Sequence, residues 1–129
     1  MAVLTTSRPD LLAYREATML EFPKLVQELT TIIGKKLTAY IASVKDVRAI
    51  ERWIAGSEAY KGAEERLRLA YRLAKMIGDH DGPRVVQAWF TGLNPELKDR
   101  VPIRLLREED IETVGPEILG AARAFLAGG

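Results

Sequence analysis

Residues 37–56 read LTAYIASVKDVRAIERWIAG, and the spacing of their apolar side chains decides how the whole chain is read. Leu37, Ile41 and Val44 recur every three or four residues and make the inner stripe of a short helix. Asp46 is a residue type that caps helix N-termini, because its carboxylate accepts a hydrogen bond from a backbone N–H with no partner inside the helix. Behind it Val47, Ile50, Trp53 and Ile54 repeat the helical spacing along a second helix, and Gly56 supplies a left-handed stop. Helix, turn and helix in this order form a degenerate helix-turn-helix. The turn around Ser43-Val44-Lys45 is longer than in the tightest form of the motif and lacks its usual glycine.

The face of the second helix opposite the apolar stripe carries Arg48, Glu51 and Arg52, with Lys45 in the turn before it. Such groups suit phosphates and base edges if the helix lies in a major groove, which points to a regulator rather than an enzyme. The alternative is a pair of packed helices whose basic face is simply solvated.

A chain of 129 residues with 47% hydrophobic content can bury one real core, with room for a small second lobe. No apolar run approaches the roughly 18 residues of a membrane span, and the start MAVLTTSRPD has neither the basic region nor the apolar stretch of a signal peptide. A cytoplasmic protein is expected. The lack of cysteine excludes disulfides, thiolate metal sites and thiol nucleophiles. A net charge of +1 is too small to argue for nucleic acid by itself, but its distribution is uneven. Residues 1–84 hold 14 Lys/Arg against 11 Asp/Glu, whereas residues 85–129 hold 5 against 7. The basic excess therefore accompanies the helix-turn-helix, and the expected organisation is an N-terminal part, 1–84, and a C-terminal part, 85–129.

The remaining pattern is helical, since no segment alternates polar and apolar residues and no Asn-Gly or Asp-Gly hairpin turn occurs. The expected fold is all-α, a compact multi-helix domain. Pro9 opens a helix to Met19 with Leu12, Arg15 and Met19 on one side, and Pro23 opens another that ends at Gly34. Residues 62–77 make the longest helix, whose wide apolar surface marks it as central. A turn is expected at residues 78–82, and a further helix from Pro83 to Gly92. Asn94-Pro95-Glu96 then starts a very short helix, and Pro102 opens the next. Gly115-Pro116 is read as a break that starts the last helix.

Catalysis finds no support in these residues. The lone histidine, His80, lies in a Gly- and Asp-rich stretch and can complete neither a Ser-His-acid triad nor a histidine-based metal site. Asp79-x-Asp81-Gly82 resembles the start of a calcium loop, yet the ligand expected at its twelfth position is Phe90. Glu108, Glu109, Asp110 and Glu112 suit a solvated helix start better than a paired-carboxylate site. No phosphate-cradling glycine loop is present, and neither a cofactor nor a metal is expected.

The helix-turn-helix is followed by Val86-Gln87-Ala88-Trp89-Phe90, then Leu93-Asn94-Pro95-Glu96-Leu97, then Arg100-Val101-Pro102-Ile103-Arg104-Leu105-Leu106. Over roughly residues 37–127 this succession resembles the Xre/MbcA/ParS group of bacterial antitoxins. That family's Trp-containing helix, Asn-Pro-like loop and Pro-x-x-Leu-Leu helix match Trp89, Asn94, Pro95, Leu97, Pro102, Leu105 and Leu106. Where relatives often carry glycine before a Thr-Pro step, this chain has Lys98-Asp99 and then Val101 before Pro102.

The resemblance implies an antitoxin that blocks the NAD pocket of a RES-domain, NAD-degrading toxin encoded nearby. It implies a toxin-binding C-terminal region that includes Trp89, Phe90, Asn94, Pro95, Arg100, Pro102 and Leu105, with Arg123, Phe125, Leu126, Gly128 and Gly129 at or near the pocket. For Phe125 and the glycines the alternative is a core side chain and a frayed end. The resemblance further implies autoregulation, as a homodimer or a toxin–antitoxin hetero-oligomer on promoter DNA. Arg48 and Arg52 would then touch DNA, and Lys45, Lys35 and Lys36 its phosphates. A helix-turn-helix transcriptional regulator with no toxin partner is the competing expectation.

Overall fold

Proline and glycine set most of the helix boundaries. The computed structural model describes residues 9–128, which form eight α-helices, a single 3-10 turn at Pro95–Leu97 and, among those residues, no strand. The helices are α1 (Pro9–Met19), α2 (Phe22–Ile33), α3 (Lys35–Ile41), α4 (Val47–Ile54), α5 (Lys61–Asp81), α6 (Pro83–Thr91), α7 (Pro102–Glu108) and α8 (Ile111–Leu126). Pro23, Pro83 and Pro102 stand in the first turns of α2, α6 and α7, where a missing N–H costs nothing. Gly34, at φ 89°, is the entire link between α2 and α3. Its N–H donates to the Thr30 carbonyl at 2.8 Å, and its own carbonyl accepts the Thr38 hydroxyl at 2.8 Å.

The long helix α5 is the axis of the molecule, as its sequence predicts. Leu67, Ala70, Tyr71, Leu73, Ala74, Met76 and Ile77 are fully buried on it, and α1, α2, α3, α6, α7 and α8 all pack against it. Side chains from both the N-terminal and the C-terminal parts meet in one hydrophobic cluster, including Leu25 and Leu29 of α2, Ile50 of α4, Phe90 of α6, Leu106 of α7 and Ile118 of α8. Each such fully buried side chain stabilises the fold by roughly 1.5–3 kcal/mol. No helix among the described residues is long and apolar enough to cross a membrane.

Three expectations change. Residues 78–81 continue α5 instead of turning, and the stop falls at Gly82; Gly78 inside the helix lets α6 approach closely, since a Cβ there would stand 3.2 Å from the Val86 Cγ2 atom. An i,i+4 pair between Lys75 and Asp79 at 3.4 Å supports the same turn of helix. Gly115-Pro116 does not interrupt α8, which runs from the Asp110 cap to Leu126 with Pro116 inside it. Pro116 lacks the N–H that would bond the Glu112 carbonyl, and both residues are exposed. Helix α1 faces inward through Ala13 and Ala17, while Arg15 is exposed, Leu12 is half-buried and Met19 is 75% exposed. Small residues suffice there because Arg68 reaches over from α5 and donates to the carbonyls of Ala17 and Leu20, both at 2.9 Å.

Candidate nucleic-acid interface

The helix-turn-helix forms with the expected ends. Asp46 caps α4, its Oδ1 accepting the Arg48 backbone N–H at 2.8 Å, and Gly56 lies just beyond the helix at φ 114°. Helix α4 buries Ala49, Ile50 and Trp53, with Val47 and Ile54 half-buried at the edges of that face. The Trp53 ring packs between Phe22 of α2, at 6.0 Å, and Tyr60, at 6.4 Å. Helices α2, α3 and α4 pack on one another, giving α4 a floor on one side and solvent on the other.

The turn holds two features invisible to sequence periodicity. Ser43 takes the left-handed conformation, φ 59°, that glycine would take more cheaply. The C-terminal carbonyls of α3 are held by side chains from elsewhere: Tyr40 O accepts Arg107 Nη1 of α7 at 2.7 Å, and Ala42 O accepts the Tyr60 hydroxyl. Neither Arg107 nor Tyr60 stands out in the sequence, since each partner lies far away along the chain.

All five predicted basic residues are exposed; Lys36, Lys45, Arg48 and Arg52 border one side of the helix pair, Lys35 does not line it, and their electrostatic states differ. Arg48 pairs with Asp46, Nη2 to Oδ2 at 3.0 Å. Hydrogen bonds from the Arg48 side chain and then its backbone N–H hold the Asp46 carboxyl below its usual 3.8, and the same contact raises Arg48 above its ordinary value. Lys35 reaches from α3 to Glu51 of α4 at 3.1 Å. Lys36, Lys45 and Arg52 make no ion pair among the described residues. Two adjoining open grooves run along this side. One, of about 330 Å³, is lined by Val44, Lys45, Asp46, Arg48, Ala49 and Arg52. The other, of about 630 Å³, passes Lys36, Tyr40, Val44, Lys45, Val47 and Arg107.

The C-terminal residues singled out from sequence are divided between core and surface. Trp89, Phe90, Pro102 and Leu105 are buried, so in this conformation they offer little area to a partner. Asn94, 7% exposed, is a structural cap: its Oδ1 accepts the Glu96 N–H at 2.9 Å, and its carbonyl accepts the N–H groups of Leu97 and Asp99. Those bonds hold Lys98 and Asp99 in left-handed conformations, at φ 58° and 63°, which glycine would take more cheaply. Arg100 donates to the Leu97 carbonyl at 2.7 Å and pairs with Glu117 of α8. Arg123 pairs with Asp10 of α1 at 2.7 Å. Phe125 and Leu126 are half-buried against the core, Gly128 is exposed at φ 102°, and Gly129 lies outside the described residues. Exposed in the same region are Pro95 and Leu93, the latter 71% accessible, whereas Trp89 and Phe90 of the same stretch are core. Leu93 borders a groove with Asp99, Arg100, Arg104 and Glu108.

Among the described residues no group of three His, Asp or Glu side chains is arranged to hold a metal ion. No family model, curated protein or solved structure matches the chain.

Proposed function

We propose that this chain is the antitoxin of a RES-domain toxin pair, and that it also binds the promoter DNA of its own operon through α4. The observation that carries the proposal is the pairing, in one chain, of an N-capped helix with an exposed cationic face and the C-terminal succession of residues that resembles the Xre/MbcA/ParS antitoxins. Helix α4 has the two-sided character that groove insertion requires: Ile50 and Trp53 fix it to the domain, and Arg48 and Arg52 point away from it.

The burial pattern refines the partner-facing region. On this reading a toxin would meet the exposed Leu93, Pro95 and Arg104 and the end of α8, because Trp89 and Phe90 are core.

The decisive experiment is a tagged pull-down of the full chain from native lysate. Co-purifying proteins are identified by mass spectrometry and assayed for NAD consumption before and after this chain is stripped off. A partner silent in the complex and NAD-degrading when released is the expected result. Recovery of DNA with no protein partner would refute the antitoxin reading and leave a transcriptional regulator.

A further inference from the structure

The two grooves beside the helix-turn-helix share Val44, Lys45 and Asp46, so the cationic side of the molecule is continuous from Arg52 to Lys36. The far wall of this track is not part of the helix pair at all. It is Arg107, at the C-terminal end of α7 and 62 positions beyond Lys45 in the chain. Three cations, Lys36, Lys45 and Arg107, surround an apolar floor of Ala39, Tyr40, Val44 and Val47. The one carboxylate on the lining, Asp46, is already occupied by Arg48.

Arg107 is held ready for a second acceptor. Its guanidinium lies over the Tyr40 ring, 4.6 Å from the centroid, and Nη1 donates to the Tyr40 carbonyl. No other partner of the fork is present among the described residues. A guanidinium stacked on a ring and anchored at one nitrogen has lost most of its rotamer freedom beforehand, which lowers the entropy cost of binding an anion with what remains.

We infer that the nucleic-acid footprint extends past the helix-turn-helix onto α7, and that Arg107 contacts a backbone phosphate of the same duplex whose groove receives α4. The occupant is a phosphodiester strand. The argument is charge complementarity: Lys36, Lys45 and Arg107 gather around one groove whose only carboxylate is already paired, which suits a polyanionic backbone. This inference rests on the DNA-binding half of the proposed function. It has a regulatory consequence, since α7 belongs to the partner-facing C-terminal region and a protein seated across it would contend with DNA for one arginine.

The test measures binding of a fluorescent duplex, taken from the sequence upstream of this chain's own reading frame, across a salt series. It compares the full-length chain with Lys36→Met, Arg52→Met, Arg107→Gln and Arg107→Lys. Glutamine removes the charge and keeps a polar amide on a shorter stem, and lysine restores the charge without the fork. A phosphate contact contributes about 0.9 to the slope of log K against log salt, so Arg107→Gln and Lys36→Met should each flatten the slope by that amount, and Arg107→Lys should restore it. An unchanged slope in Arg107→Gln, with Lys36→Met and Arg52→Met both flattened, would make Arg107 only a cap for α3 and overturn the inference alone. Absence of salt-dependent binding by the unaltered chain would overturn the DNA reading itself. If Arg107→Gln does not fold, phenylglyoxal labelling of the unaltered chain decides the matter. Protection of Arg107 by the duplex is expected, and equal labelling with and without DNA refutes the inference.

Discussion

Ser43→Gly should stabilise this protein, although it removes a side chain and adds none. Ser43 is exposed, its hydroxyl makes no hydrogen bond among the described residues, and its backbone sits at φ 59°. A non-glycine residue in the left-handed region costs roughly 1–2 kcal/mol, from the crowding of Cβ against the following carbonyl. Glycine removes that crowding but orders a more flexible unfolded chain, returning roughly 0.4–1 kcal/mol of the gain. The expected net stabilisation is therefore about 0.5–1 kcal/mol. Unfolding entropy scales at about 2.1 cal/mol/K per residue, so for 129 residues this corresponds to a rise of about 2–4 °C in Tm. Thermal unfolding followed by far-ultraviolet circular dichroism measures it, with urea denaturation as an independent readout. The turn's bonds, Ser43 N–H to Tyr40 O and Val44 N–H to Ala39 O, both 3.1 Å, involve backbone alone, so duplex affinity should stay within twofold. A lower Tm would refute the reasoning, because it would mean that Ser43 is not strained and that glycine adds only disorder.

Other perturbations separate packing from polar effects. Trp89→Phe should be tolerated to within about 1 kcal/mol, because the smaller ring loses contacts but also removes a buried indole N–H that has no partner among the described residues, whereas Phe90→Ala in the same helix should cost about 3–5 kcal/mol. Both are measured by urea denaturation. Gly56→Ala should lower Tm, since φ 114° strains any side chain even though the surrounding space is open. Asp10 is pulled two ways: burial raises its pKa, and the hydrogen bond and charge of Arg123, followed by those of Arg72, outweigh it and leave the folded value below 3.8. A depressed carboxyl stabilises the fold above its unfolded pKa and loses that contribution as pH falls through the folded value. Asp10→Asn should therefore be less stable than the unaltered protein near neutrality and converge with it below pH 3.8. Parallel stability curves over the whole acidic range would refute this assignment.

What could be read from sequence was whatever depends on neighbours a few positions apart. The cap at Asp46, the stop at Gly56, the buried faces of α2 and α5 and the short turn at Asn94-Pro95 all arise from local hydrogen bonding and 3.6-residue periodicity, so the chain displays them in order. Readings failed where a local signal met a distant partner. Gly78 and Pro116 are helix breakers by type, yet both sit inside helices: Val86 of α6 packs against the space left by Gly78, and Pro116 lies on the exposed side of α8. Leu12 and Met19 are apolar by type, yet α1 is held through two alanines and the reach of Arg68. The candidate site divides the same way. Arg48, Arg52 and Lys45 belong to one face by periodicity alone, and so sequence determined that a cationic helix face exists. Only the tertiary structure decided which of those charges are already paired, which C-terminal side chains are core, and that Arg107 of α7 lines the same groove: the Arg48–Asp46 pair depends on how two close side chains are turned, and the Arg107–Tyr40 contact joins residues 67 positions apart.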